Sequence, residues 1–155
     1  MCGQLAFYIK LKSSKNIASR ETIERKRQMK SSIITGAIHG FLAVALGAFG
    51  AHALEDILDD YSAGIWDTAV QYQMFHAAAL ILIGILMSKS LIGEVKQLKI
   101  AKNCFNAGIF FFAGSLFVLA ITGIKWLGAV TPIGGVLFLT GWAMVIVATM
   151  KSKSA

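Results

Sequence analysis

Four long runs without a single charged residue constrain the fold of this chain more than any other feature. All 14 Lys, Arg, Asp and Glu residues from Lys30 onward lie outside these runs. Each run is close to the roughly 20 residues that a helix needs to cross a bilayer. The pattern predicts an all-α protein, a four-helix transmembrane bundle. Its helices are expected at Ile33 to Leu54, Thr68 to Met87, Asn103 to Ile124 and Trp126 to Met150.

The composition supports lipid as the main surroundings of the chain. Charged residues make up 15% and hydrophobic residues 56% of the sequence, whereas soluble domains are about 25% charged. The net charge of +7 could suggest nucleic acid, but the segment before Lys30 holds seven positive and two negative residues. Next to a membrane, such an excess indicates orientation or contact with anionic lipid. We therefore expect the lipid bilayer, and no nucleic acid, as a partner.

Residues 1–28 form a basic, polar tail with two interpretations. It is either a disordered cytoplasmic segment or a stretch that is not translated natively, with Met29 as the true start. The second interpretation rests on Glu24 to Arg27, which can be written in purine codons as in a ribosome-binding site. Residues 29–152 are expected to form the four-span membrane domain.

The charges between the runs predict the orientation. Lys and Arg beside membrane spans mark the cytoplasmic side. The loop Glu55 to Asp67 holds five acidic residues and no basic one, whereas the second loop holds four lysines and the C-terminus two. This pattern predicts a multi-pass protein of the cell membrane with both termini cytoplasmic, and Trp66 and Trp126 at the outer interface.

The start of the fourth helix has two readings. Thr131 could cap a helix that has Pro132 at its first position. Alternatively, a helix that begins at Trp126 is kinked at Pro132. The sequence slightly favours the first reading.

A stripe of small residues, here called the glycine seam, follows the first span. Its members are spaced by 4, 3, 4 and 3 residues and fall within an arc of about 80° on a helix. Small residues let membrane helices approach closely, so the seam predicts tight packing. The alternative is a lumen lined by glycine backbones. The seam consists of Gly36, Gly40, Ala43, Gly47 and Gly50.

A few polar residues at membrane depth are the candidate site. Ionisable residues inside a membrane are functional suspects, and those on the first two helices predict a polar pocket at their outer ends. The simpler interpretation is interhelical hydrogen bonding. His39 lies beside the edge of the seam, apart from His52. The predicted pocket contains His52, Tyr72, Gln73 and His76, with Gln71 beside them.

Motifs of the main enzyme classes do not occur. There is no GxxxxGK[ST], GxGxxG, HExxH or GxSxG sequence, and Cys2 and Cys104 form no CxxC pair. We therefore predict no catalytic residues, no metal site, no cofactor and no enzymatic activity.

Three segments together resemble a known family. They are residues 47–54 (GAFGAHAL), the stretch from Trp66 to His76 that ends in YQMFH, and residues 125–142. They are similar to the family called domain of unknown function 423, also called uncharacterised protein family 0382, to which a eukaryotic transmembrane protein 256 is related. The resemblance implies a small four-span protein of the cell membrane and no particular activity.

These observations favour a non-enzymatic membrane protein that assembles or binds through the glycine seam and the polar pocket. The alternative is a small channel or carrier for an ion or a small neutral solute. A second copy of the chain or another membrane protein is the expected protein partner.

Overall fold

The computed structural model describes residues 2–152 except Glu94, and the side chains from Lys15 onward. Four helices make up nearly all of it, and this described part contains no strand, which confirms the all-α prediction. Each of the four is long and apolar enough to cross a membrane. A short 3-10 segment, Lys125–Ala129, precedes the last helix. The helices are α1 (Cys2–Ala53), α2 (Asp60–Leu86), α3 (Lys96–Thr122) and α4 (Thr131–Lys151).

The helices pack in chain order without closing into a ring. α1 lies against α2, α2 against α3 and α3 against α4, whereas α1 and α3 approach each other at only a few points. In the described part of the chain, no Cα atoms of α4 come within 8 Å of those of α1 or α2. Only side chains therefore bridge α2 and α4. We call the end with the α2–α3 loop the termini end, and the opposite end the far end.

The first helix extends well beyond the predicted span. α1 is continuous from Cys2, so the described residues of the tail belong to the same helix as the first span. Neither Gly nor Pro occurs between Gln4 and Thr35, and Lys, Arg, Glu and Gln are good helix formers. An existing helix also extends more readily than a new one nucleates. The hypothesis that translation starts at Met29 stays a prediction.

The last helix begins at Thr131, with Pro132 in its first turn. Trp126 lies in the 3-10 segment, so a single helix kinked at Pro132 does not form. The expected cap is nevertheless wrong in detail, because Val130 occupies the cap position. The Thr131 hydroxyl instead lies 2.8 Å from Ser115 Oγ on α3, and this contact ties α4 to its neighbour.

The core lies between α2 and α3 and is apolar. Its largest fully buried side chains include Leu80, Ile83, Leu98 and Phe105. Large apolar side chains also cover the outer surface, as expected for helices in lipid; Phe41, for example, is 74% exposed. The buried core holds α2 and α3 together, and α1 and α4 pack on either side.

Candidate functional site

The glycine seam of α1 faces α2. A Cβ atom added at Gly36 would lie 2.8 Å from the backbone oxygen of Ala77, and one at Gly47 would lie 3.3 Å from the Val70 side chain. Ala43, in the middle of the seam, is fully buried. The two backbones therefore approach closely, as small residues allow in lipid. The glycine seam is therefore covered by α2 of the same chain.

A tryptophan closes the far end of this interface. A Cβ atom at Gly50 would overlap the indole ring of Trp66. The indole Nε1 donates a hydrogen bond to the Leu46 carbonyl oxygen over 3.0 Å. The ring also meets Phe117 of α3 edge-on, with centroids 4.7 Å apart. Trp66 is 3% exposed, so it is a buried contact among three helices.

The predicted polar pocket does not form as one site, and His52 is its most distant member. His52 is an exposed residue in the last turn of α1. Gly40 lies beside Ala77 of the antiparallel α2, so His76 is level with the region near Gly40. His52 is 12 residues further along α1, or about 18 Å at 1.5 Å per residue. It belongs to the far-end surface.

Gln73 and its neighbours on α2 point to different helices. Gln73 is buried, and its Nε2 donates to the His39 carbonyl oxygen of α1 over 3.3 Å. Tyr72 and His76, one turn apart, instead face aromatic residues of α3 and α4. The structure thus keeps only Tyr72 and His76 together, with the exposed Gln71 beside them.

An aromatic cluster surrounds His76. Its imidazole ring stacks on Phe138 of α4, with centroids 3.5 Å apart and planes 9° from parallel. It also meets Phe105 of α3 edge-on at 5.3 Å. The contact with Phe138 is thus nearly face to face, whereas the contact with Phe105 has the edge geometry that aromatic pairs favour. The cluster consists of Tyr72, Phe75, His76, Phe105, Phe112, Phe138 and Trp142.

Hydrogen bonds define the protonation state of the His76 ring. Its Nδ1 lies 2.8 Å from the Tyr72 carbonyl oxygen, which can only accept, so Nδ1 carries the proton. The other nitrogen, Nε2, accepts a hydrogen bond from Trp142 Nε1 over 3.3 Å. This assignment follows from the partners of the two nitrogens. His76 is therefore a neutral imidazole with both nitrogens engaged, and it joins α2 to α4.

A cleft of about 850 Å³ opens beside the aromatic cluster, between α2 and α4. It lies within the apolar runs of both helices, and so opens towards the bilayer interior. The Tyr72 hydroxyl makes no hydrogen bond to the rest of the described chain and, with Gln71, supplies the polar atoms of the cleft besides His76 and Trp142. The walls include Met74, Phe75, Phe112, Phe138, Leu139 and Trp142.

Sequence reasoning missed the α4 half of this site. Phe138 and Trp142 are four residues apart and share a helix face, as do Tyr72 and His76. This matching spacing on two helices was the available signal. It does not indicate pairing by itself, because the sequence does not show which helices are neighbours or at what depth.

The comparisons with known proteins concern this same region. A family model described as protein of unknown function (DUF423) matches residues 46–135, more than half of the chain. The chain belongs to this family. The matched range includes Tyr72, Gln73, His76 and Phe112 and ends before the α4 aromatic residues.

Relatives cover a larger part of the chain. The UPF0382 membrane protein SAB0533 of Staphylococcus aureus is 46% identical over 123 residues, which is 79% of this chain and 98% of the relative. The UPF0382 membrane protein YwdK of Bacillus subtilis is 48% identical over 124 residues, again 79% and 98%. No solved structure matches this DUF423 chain. The predicted resemblance is confirmed, and these relatives together with the four apolar helices establish a membrane protein.

Proposed function

We propose that this DUF423 protein is a non-enzymatic membrane protein that binds a lipophilic small molecule in the α2–α4 cleft. The observation that carries the proposal is the cleft itself, with about 850 Å³ of space and aromatic walls. Small-molecule sites measure about 300–1,000 Å³ and combine mostly apolar walls with a few polar groups. Because the cleft opens to the lipid at mid-depth, its ligand would enter from the bilayer.

The polar groups of the cleft indicate the class of ligand. Both nitrogens of His76 are engaged, which leaves the Tyr72 hydroxyl and the Gln71 carboxamide to hydrogen-bond a guest. The Tyr72 ring stacks on Phe112 at 4.4 Å and offers a flat apolar surface beside its hydroxyl. A suitable ligand has an apolar chain or ring and one hydrogen-bonding group. Among the described residues that line the cleft, His76 is the candidate base, and both of its nitrogens are already hydrogen-bonded, which favours binding over catalysis.

The glycine seam supports binding over assembly through α1. Its residues are covered by α2, so a second copy would have to use another surface. We place the protein in the cell membrane as a multi-pass protein with both termini cytoplasmic. This proposal is supported by the acidic first loop and the lysines of the second loop and C-terminus.

A photoreactive fatty acid with a mid-chain diazirine tests the proposal in vesicles that contain the purified protein. We expect adducts on Met74 and Leu139 in the cleft to saturate as the probe concentration rises. Adducts on Phe41, which is 74% exposed on α1, should instead rise in proportion, as for ordinary boundary lipid. Adducts that rise in proportion at both places would contradict a binding site.

A pair of matched variants separates the cleft from the general surface. Leu139→Trp places a large ring in the cleft, whereas Ile133→Trp adds the same ring to an exposed position of α4 outside the cleft lining. We expect only Leu139→Trp to abolish the saturable adducts. If both variants label like the wild type, the cleft does not hold the probe. Loss of cleft labelling at higher protein-to-lipid ratio would instead favour occupation by a second copy.

One observation favours the alternative function, a channel or carrier for a small solute. Gln73 and His39 place polar atoms deep between α1, α2 and α3, away from the cleft. Polar side chains at membrane depth often line the route of a solute or ion.

A further inference from the structure

A row of polar side chains enters the molecule between α1 and α3 from the termini end. At its mouth, Gln28 Nε2 donates to Glu24 Oε1 over 2.8 Å. Lys102 Nζ of α3 crosses to α1 and donates to Gln28 Oε1 over 2.6 Å. These three side chains connect the aqueous end of the bundle to the start of the apolar run of α3.

The row continues inward by one helical turn. Asn106 follows Lys102 on α3, and its Nδ2 donates to the Lys102 carbonyl oxygen over 2.9 Å. The Asn106 side chain also lies close to the His39 side chain of α1. The next polar contact is between Gln73 of α2 and the His39 backbone. We call this set the polar row: Glu24, Gln28, Lys102, Asn106, His39 and Gln73.

The inner end of the row carries two polar atoms without a partner. His39 Nδ1 and Gln73 Oε1 are buried, and neither has a hydrogen-bond partner within the described part of the chain. Gln73 is only 4% exposed. A polar group left unpaired in a dry interior is costly, and more so at membrane depth. His39 lies six residues beyond the start of the apolar run, about 9 Å along the helix axis.

The surroundings select the chemistry of a guest. The carboxamide oxygen of Gln73 needs a donor, and His39 Nδ1 needs either a donor or an acceptor, depending on its tautomer. The opposite charges of Lys102 and Glu24 stand together at the mouth, so the mouth favours neither cations nor anions. Water meets both requirements and is neutral, and buried waters typically make about three hydrogen bonds to such groups.

We propose that the polar row is a water inlet that begins at the termini end and stops at a binding site between His39 Nδ1 and Gln73 Oε1. Water there donates to the Gln73 oxygen and pairs with the imidazole nitrogen. The inlet reaches only part of the way across the bilayer. It is independent of the proposed ligand cleft, which is built from other residues.

The three histidines provide an internal scale for a direct test. Water-edited solid-state NMR of the full-length protein, labelled with ¹⁵N-histidine in lipid bilayers, measures how fast water magnetisation reaches each ring. His52 is exposed and gives the fast limit, and His76, enclosed in the aromatic cluster, gives the slow limit. Single His→Gln variants assign the signals. We expect water magnetisation to build up on the His39 ring at a rate close to that on the His52 ring. A build-up rate equal to that on the His76 ring would overturn the inlet.

Two leucine substitutions on α3 test the route. Asn106→Leu places an apolar side chain in the row, whereas Asn103→Leu makes the same change at an exposed position. We expect only Asn106→Leu to slow the build-up of water magnetisation on the His39 ring to the rate seen on the His76 ring. An unchanged rate in a folded Asn106→Leu protein would refute the proposed route.

Cysteine labelling gives a second readout if Asn106→Leu does not fold. Asn106→Cys and the lipid-facing control Phe110→Cys are made with Cys2 and Cys104 replaced by Ser, and a small charged thiosulfonate is the probe. Faster reaction at position 106 supports the inlet, and equal slow reaction at both positions opposes it. Neither result depends on the fatty-acid probe, so failure of the inlet and failure of the ligand cleft can be told apart.

Discussion

Two adjacent glycines of α4 allow a sharp test of how the second helix pair is held together. A Cβ atom at Gly134 would lie 2.5 Å from the backbone nitrogen and 2.8 Å from the Cα atom of Phe112 on α3, whereas one at Gly135 would meet nothing within 4 Å. The obstacle at Gly134 includes main chain, so a rotamer change cannot remove it. We therefore compare Gly134→Ala with Gly135→Ala.

The geometry gives the expected size of the change in the free energy of unfolding. Ordinary contact begins near 3.4 Å, so relief of the 2.5 Å approach requires α3 and α4 to separate by about 0.9 Å. Overpacking of this kind typically costs about 1–3 kcal/mol. At Gly135 the same methyl group is free of contacts, and replacing Gly by Ala in a helix interior gains about 0.5–1 kcal/mol. Both variants share this gain, so they should differ by the overpacking cost, about 1–3 kcal/mol in the free energy of unfolding.

Unfolding of both purified variants in mixed micelles, titrated with a denaturing detergent, measures this difference. For a chain of this size, each kcal/mol corresponds to about 2–4 °C in Tm, so thermal unfolding in mild detergent is an independent check. We expect Gly134→Ala to fall below the wild type and Gly135→Ala to equal or exceed it. Equal stability of the two variants would mean that α3 and α4 do not pack through Gly134.

Other predictions concern single side chains and the orientation. His76→Ala leaves the Trp142 N–H without its partner and should lower the free energy of unfolding by about 1–3 kcal/mol, whereas His52→Ala at the surface should change it by no more than about 0.5 kcal/mol; equal effects in detergent titrations would contradict the cluster. Asp59 caps α2 by accepting a hydrogen bond from the Ser62 N–H over 2.8 Å, and hydrogen bonding to Ser62 lowers the pKa of this carboxyl below its ordinary value of 3.8. The cap's stabilisation is therefore present above that value and lost as the pH falls through the lowered pKa; Asp59→Asn should lose less Tm on acidification than the wild type, and parallel losses would count against the cap. A green fluorescent protein fused to the C-terminus should fluoresce and alkaline phosphatase fused there should be inactive, because the charge pattern predicts that this end is cytoplasmic; the reverse result would invert the topology.

The number of helices followed directly from the sequence, but their ends did not. Charge-free runs mark the part of a helix that lipid requires, and nothing obliges the helix to stop there. α2 begins at Asp60, eight residues before the apolar run, because Asp59 caps it in the polar loop. α3 likewise begins at Lys96 and ends where Gly123 adopts a positive φ of 67°.

The candidate site was predicted only in part, since its assembly depends on relations between helices. Angles around one helix correctly put Tyr72 and His76 on one face, but Gln73 lies 100° from Tyr72 and faces α1. The sequence does not show at what depth residues of different helices lie. His52 was therefore grouped with His76, which lies about 18 Å away along the α1 axis. The aromatic partners on α4 could not be chosen without that register.

The open packing order has a consequence for how the chain is built into a membrane. α1 with α2, and α3 with α4, are two helical hairpins, and each has its own close glycine interface, at Gly36 and at Gly134. Each pair has an interface of its own, so the pairs can enter the bilayer one after the other, and the buried core between α2 and α3 forms when they meet. The His76–Trp142 hydrogen bond can form only after the second hairpin has docked, so it marks the last step of assembly and the moment at which the cleft acquires its second wall.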